Sequence, residues 1–354
     1  MKKKICLFLG FILLSFQCLA DTENQVTAEG YQEAKQESEQ EQKVKNKMIP
    51  DPKAQLPPTG KIPQNIWSLG DGDYFSKYAF VADKSTRTLT IWQNEQQNFE
   101  LVAAYPFDMG KQDGDKQILG DLKTPEGVYF FEGTYKQAQL DYNEYGIRAF
   151  TTNYPNFFDR LEKKTGSGIW LHAIPPSKSL KRGSRGCLVI RNEAIEKVIP
   201  FVDLDKTPII VEDKINYTPQ KILKENKQQF YSWLEQWKLS WEKKEIESYI
   251  NYYHQDFTAN KMNVQQWKDY KAGLNQKYNF INVTLYSPVV YNHKNEIVVR
   301  FLQKYSSDNL NDFGEKTLYV KKIDNTYKII GEEWKPIANE TLAHYESKCT
   351  IPEC

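Results

Sequence analysis

The rhythm of the chain changes once, near residue 214, and that change limits the folds open to it. From about Trp67 to Asp213 the sequence is a series of short β-rich runs broken by Gly, Pro and Asp: YAFVADKSTRTLTIWQNE, ELVAAYPF, GVYFFEG, GIWLHAI, GCLVI and TPIIVED. In this stretch NEAIEKVIPFV alone reads as a helix of any length. From about Thr218 to Pro336 the spacing becomes helical, in PQKILKENKQQFYSWLEQWKLSWEKKEIESYINYY and again in NVQQWKDYKAGLNQKY. Four strand candidates follow: INVTLYSPVVYN, EIVVRFLQKYSS, EKTLYVKKI and TYKIIGEEW. A mainly β region is therefore expected over 66–214. An α+β region, helices first and a curled antiparallel sheet afterwards, is expected over 218–338, with a tail at 339–354.

What precedes these regions is of another kind. MKKKICLFLGFILLSFQCLAD has the basic start, apolar stretch and small-residue end of an export signal, so residues 1–20 are expected to be removed. The apolar stretch is too short to span a bilayer comfortably, and no other segment is apolar enough, so no membrane span is expected after cleavage. Residues 21–65 hold a Gln-, Glu- and Lys-rich arm and a Pro-rich linker, IPDPKAQLPPTGKIP. The arm cannot bury enough surface to fold alone, and it is a candidate for pairing two copies into a homodimer. With 47 basic against 46 acidic residues, a net charge of +1, no global field points to nucleic acid.

In the exported chain three cysteines remain. Cys349 and Cys354 are plausible disulfide partners across the loop TIPE in an oxidising compartment, and so small a loop would contribute only about 2 kcal/mol. Cys187 is then the odd thiol. It stands in GSRGCLVI, behind Arg185 and between Gly186 and an apolar run. A thiol becomes a nucleophile through a neighbouring base or positive charge. Of the four histidines, His172 closes the run GIWLH in the same β region. Gly183 and Gly186 allow a sharp turn whose free N–H groups can hold an oxyanion. The scattered histidines give no Cys/His metal spacing, so neither metal nor cofactor is expected. His254, in NYYHQDF, reads as a packed or rim residue on a helical aromatic face.

These residues carry a family resemblance. SRGC (Ser184 to Cys187) resembles the Ser/Thr-His-Gly-Cys signature of YkuD-type L,D-transpeptidases, with His172 in the place of their upstream histidine. GDLKTPEGVYFF (residues 120–131) is similar to a Thr-Pro-x-Gly element of that domain, and GIRAFTTNYPNFFDRLEKKTGSGIWLH (146–172) is closer still to one branch. The order of elements after residue 218 resembles the nuclear-transport-factor-2-like fold, a cone-shaped domain with a pocket. Taken together, the chain most resembles the cell-shape L,D-carboxypeptidases of curved and helical Gram-negative bacteria. Two positions depart from the signature: Arg185 replaces its histidine, and Val189 stands where an arginine is common.

The resemblance implies a periplasmic enzyme acting on peptidoglycan stem peptides. It would cut the bond between the L-centre of diaminopimelate and the terminal D-Ala. Cys187 would be the nucleophile and His172 its base, oriented by the Ala173 carbonyl. Gly186 and Cys187 N–H groups would hold the oxyanion, and Arg185, Ser184 and Trp170 would line the substrate site. Water would resolve the thioester in a carboxypeptidase and an amine in a transpeptidase. A non-catalytic wall-binding scaffold is the remaining alternative, against which the Cys187–His172 pair argues. A fragment ending near Lys214 is expected to keep some activity on a soluble tetrapeptide.

Overall fold

The computed structural model describes residues 50–181, 183–324 and 326–348. The export signal, the polar arm and the Cys349–Cys354 pair lie outside these residues. The described chain begins with β1 (Lys61–Pro63) and β2 (Ile66–Ser68), then β3 (Tyr78–Asp83), β4 (Thr88–Glu95), β5 (Asn98–Pro106) and β6 (Gly127–Lys136). Helix α1 (Tyr142–Tyr145), β7 (Arg148–Thr152), α2 (Phe157–Leu161), β8 (Trp170–Ile174), β9 (Leu188–Arg191), α3 (Asn192–Val198) and β10 (Pro208–Glu212) complete the first half. One eight-stranded sheet holds most of these strands in the order β5-β4-β3-β10-β6-β7-β8-β9. Its centre is the parallel pair β3 and β10, buried at every position. Burial on both faces is why YAFVAD and PIIVE read as apolar runs with little alternation.

The second half starts with β11 (Tyr217–Pro219), α4 (Gln220–Glu242), α5 (Ile246–Ile250), β12 (Tyr253–Ala259), β13 (Met262–Asn263) and α6 (Val264–Lys277). Four long strands follow, β14 (Ile281–His293), β15 (Glu296–Ser307), β16 (Asn311–Ile323) and β17 (Thr326–Pro336), and then α7 (Asn339–Lys348). Helix α4 buries Leu223, Phe230, Leu234, Trp237 and Trp241, one stripe at helical spacing. The helical pattern read through YINYY ends early, because Lys244 turns into the left-handed region (φ 61°) and the chain breaks into α5 and then a strand. His254 therefore lies on β12, beside Asp256 at 3.6 Å, and not on a helix. Tyr249, Tyr253 and Phe257 recur every fourth residue, and a spacing of four fits a helix turn and one face of a strand equally.

The two halves are welded. Strand β2 hydrogen-bonds to β14, giving the second sheet the order β13-β12-β17-β16-β15-β14-β2, and β1 pairs with β11. Residues 61–68, read as the end of a linker and the start of the first region, thus build the second. One buried cluster runs through both sheets, joining Val81, Phe130, Phe157 and Ile210 to Trp237, Tyr291, Phe301 and Tyr319. At its centre Phe157 stacks on Tyr319 with ring centroids 4.2 Å apart. Position 331 has to be glycine there, since a Cβ would lie 2.1 Å from the Phe157 ring. Polar ties flank the seam: Arg300 donates to the Asp205 carbonyl at 2.6 Å, and Lys294 pairs with Glu126 at 3.1 Å.

A fragment ending near Lys214 would expose this cluster to water. Contrary to the reading from sequence, it should not fold cooperatively by circular dichroism. In the whole chain, Phe157→Ala should cost about 3 kcal/mol in urea unfolding, with both sheets lost in one transition. Two separate transitions would show that the halves fold independently.

Candidate active site

At the edge of the first sheet, β8 and β9 run parallel, with His172 opposite Val189 and Leu171 opposite Leu188. This register sets Cys187, the residue before β9, beside the start of β8. The Trp170 N–H is directed at its sulfur, and the thiol points to the Gly168 carbonyl at 3.5 Å. Cys187 and His172 line one pocket of about 420 Å³. The segments between β8 and β9 and around α1 supply the rest of its wall, including Asn143, Glu144, Tyr145, Lys178, Gly183 and Arg185.

His172 is buried, and its Nδ1 lies 2.9 Å from the Ala173 carbonyl oxygen. A carbonyl can only accept, so Nδ1 carries the proton and Nε2 keeps the lone pair a base needs. The Tyr145 ring meets the imidazole edge-on at 5.1 Å and fixes its plane. Burial pushes the imidazole pKa down, partly opposed by the Ala173 carbonyl and the charge of Glu144. Burial likewise pushes the half-buried Cys187 thiol up, opposed by the Trp170 N–H and, more distantly, Lys116. The thiol and the imidazole are therefore both favoured in their neutral forms at neutral pH.

Gly186 has a φ of 137°, and a Cβ there would sit 2.7 Å from the Lys123 carbonyl oxygen. Its N–H does not face the pocket as an oxyanion donor: it donates to Ser184 Oγ at 3.1 Å. The Ser184 hydroxyl in turn donates to the Cys187 carbonyl at 2.7 Å. Ser184 therefore lines the pocket as a clasp of the turn, with its hydroxyl already engaged. Among the described residues no acceptor takes the Cys187 N–H. The Trp170 ring packs between Tyr135 (5.3 Å) and Tyr145 (5.2 Å), and it is the backbone N–H of this residue that meets the thiol. Arg185 is exposed at the pocket mouth, and among the described residues no carboxylate pairs with it.

Asp108 and Arg87 carry no motif and escaped the reading of the sequence. Asp108 is buried; its backbone bonds both ways with Val189 (2.7 and 2.8 Å). Its carboxylate accepts from Gly183 N–H at 2.8 Å and from Arg87 at 2.8 Å. Arg87 also donates to the Leu180 carbonyl at 2.8 Å. The segment leading to the thiol is thus pinned at Leu180 and Gly183. Contacts across 75 and 93 positions of chain leave no trace in local pattern. Among the described residues no group of three or more His, Cys, Asp or Glu side chains is arranged to hold a metal ion, and no helix is long and apolar enough to cross a membrane.

Residues 77–211 match the L,D-transpeptidase catalytic domain family (YkuD), and residues 229–333 match the Cds6 C-terminal NTF2-like domain. The solved structure of Bd1075 from Bdellovibrio bacteriovorus is 40% identical, with a TM-score of 0.73 over 78% of this chain and 99% of that one. The chain belongs to the YkuD L,D-transpeptidase family. Its strand-rich catalytic-type region is followed by an NTF2-like region of helices and curled sheet. The helical cell shape determining protein Pgp2 from Campylobacter jejuni is 28% identical, with a TM-score of 0.60 over 75% of this chain and 94% of that one. No curated protein sequence matches the chain.

The two pKa directions have a kinetic consequence. Iodoacetamide should alkylate Cys187 slowly at neutral pH, with the rate rising only above the ordinary thiol value of 9.0. With His172 as the base, the acid limb of turnover should fall below the ordinary histidine value of 6.5. Fast alkylation at pH 6 would mean a preformed thiolate–imidazolium pair.

Proposed function

We propose that the protein is a cysteine L,D-carboxypeptidase of the cell wall, acting outside the cytoplasm. It would remove the terminal D-Ala from peptidoglycan tetrapeptide stems and so help to set cell shape. Family membership supports the cysteine chemistry and the peptidoglycan substrate. The likeness to a helical cell shape determining protein supports the cellular role. The observation that carries the reading of a stem with a free D-Ala carboxylate is Arg185, a guanidinium without a carboxylate partner among the described residues at the mouth of the pocket that holds Cys187 and His172. A guanidinium fork is shaped for a terminal carboxylate.

His172 Nε2 takes the thiol proton as sulfur attacks the carbonyl carbon between diaminopimelate and D-Ala. The Cys187 N–H meets the oxyanion. The C–N bond breaks as the D-Ala nitrogen receives the proton from the imidazolium, and D-Ala departs as a free amino acid. Water, deprotonated by His172, then attacks the thioester. The C–S bond breaks and the proton returns to sulfur, leaving a tripeptide stem. The Ala173 carbonyl keeps one imidazole tautomer throughout, the orienting role that a carboxylate has in other triads.

Incubating the purified protein with sacculi and separating the muropeptides tests this directly. Tetrapeptides should become tripeptides with release of D-Ala. New 3–3 cross-links would favour a transpeptidase, and no change in either would overturn both. Cys187→Ala should abolish turnover without loss of thermal stability. Arg185→Ala should lower kcat/KM on a soluble tetrapeptide about ten- to a hundredfold, the worth of a hydrogen bond to a charged group. Arg185→Lys should fall between Arg185→Ala and the unsubstituted protein.

A further inference from the structure

Opposite walls of the thiol pocket are joined by an ion pair that the chemistry above does not use. Glu144 on α1 and Lys178, on the segment after β8, both line the pocket, with Nζ and Oε1 3.0 Å apart. Their side chains are 65% and 45% exposed, so the pair contributes little to stability and costs little to open. Their backbones, by contrast, are held. Asp141 caps α1 by accepting the Asn143 N–H at 2.9 Å, and Asn192 reaches the Tyr142 hydroxyl at 3.3 Å. Gly146 (φ 62°) ends that helix against Ala173, where a Cβ would lie 2.7 Å from the Ala173 Cβ. Lys178 donates its N–H to the Pro175 carbonyl at 3.0 Å, and Arg191 grips the carbonyls of both Pro175 and Lys178.

Two opposite charges a hydrogen bond apart, on fixed backbones and with free side chains, mirror one chemical group: the ammonium and carboxylate of a free amino-acid end. We propose that Glu144 and Lys178 form the subsite for the free zwitterionic end of the stem's diamino acid, Glu144 accepting its ammonium and Lys178 meeting its carboxylate. This assignment rests on the stem-peptide reading above. The ligand exchanges two contacts for the pair's one, so binding opens the bridge at small cost. A pocket of about 420 Å³ has room for a dipeptide-sized group. In a stem already cross-linked through that amine the ammonium is gone, so the subsite selects uncross-linked stems.

The test compares three soluble tetrapeptides: one with free diaminopimelate, one with its distal carboxylate amidated, and one with its distal amine acetylated. For the full chain, kcat/KM should be about tenfold higher for the free peptide than for either blocked one. Lys178→Met should bring the free-to-amidated ratio to about one, while Lys178→Arg keeps it. Glu144→Gln should do the same to the free-to-acetylated ratio. Unchanged ratios in these variants overturn the subsite. So does an equal rise in turnover of all three peptides, which would make the pair a mere strap. Calorimetry of the same peptides with Cys187→Ala reads the same ratios without chemistry. Selective binding without release of D-Ala would therefore sink the carboxypeptidase reading and leave the subsite standing.

Discussion

The parallel pairing of β8 with β9 is the contact on which the site depends. Side chains two residues apart on a strand share a face, and neighbouring strands in register bring partners side by side. With His172 opposite Val189, the residue before β9 falls beside the backbone of Trp170, and the thiol receives that N–H. A slip of one residue would turn His172 away from the pocket. Asp108 guards against the slip, because its backbone brackets Val189 and its carboxylate holds the approach to Cys187.

The electrostatics follow from burial. Imidazole and thiol are both pushed by burial towards their neutral forms. A low thiolate fraction also slows oxidation and disulfide exchange of a free thiol. Charge is kept at the pocket's rim instead, on Arg185, Glu144 and Lys178, where it costs little.

The second sheet is part of the same folded body. It takes β2 from the residues ahead of the catalytic-type region and shares the Phe157–Tyr319 stack with it. Motion of one half against the other would have to break a strand pairing and open a packed core.

Periodicity and punctuation in the sequence were enough for the β-rich region, the long helices and the four closing strands. Each is decided by residues a few positions apart. Cys187 behind Gly186 and His172 in GIWLH stood out by residue type, and the fold sets both on one pocket. Tertiary structure alone decided the rest. Ser184 took the Gly186 N–H, β12 replaced a helix at His254, and Arg87 and Asp108 tied down the thiol's loop. Those outcomes depend on contacts between residues far apart in the chain, where geometry, not composition, chooses the partner of each polar group.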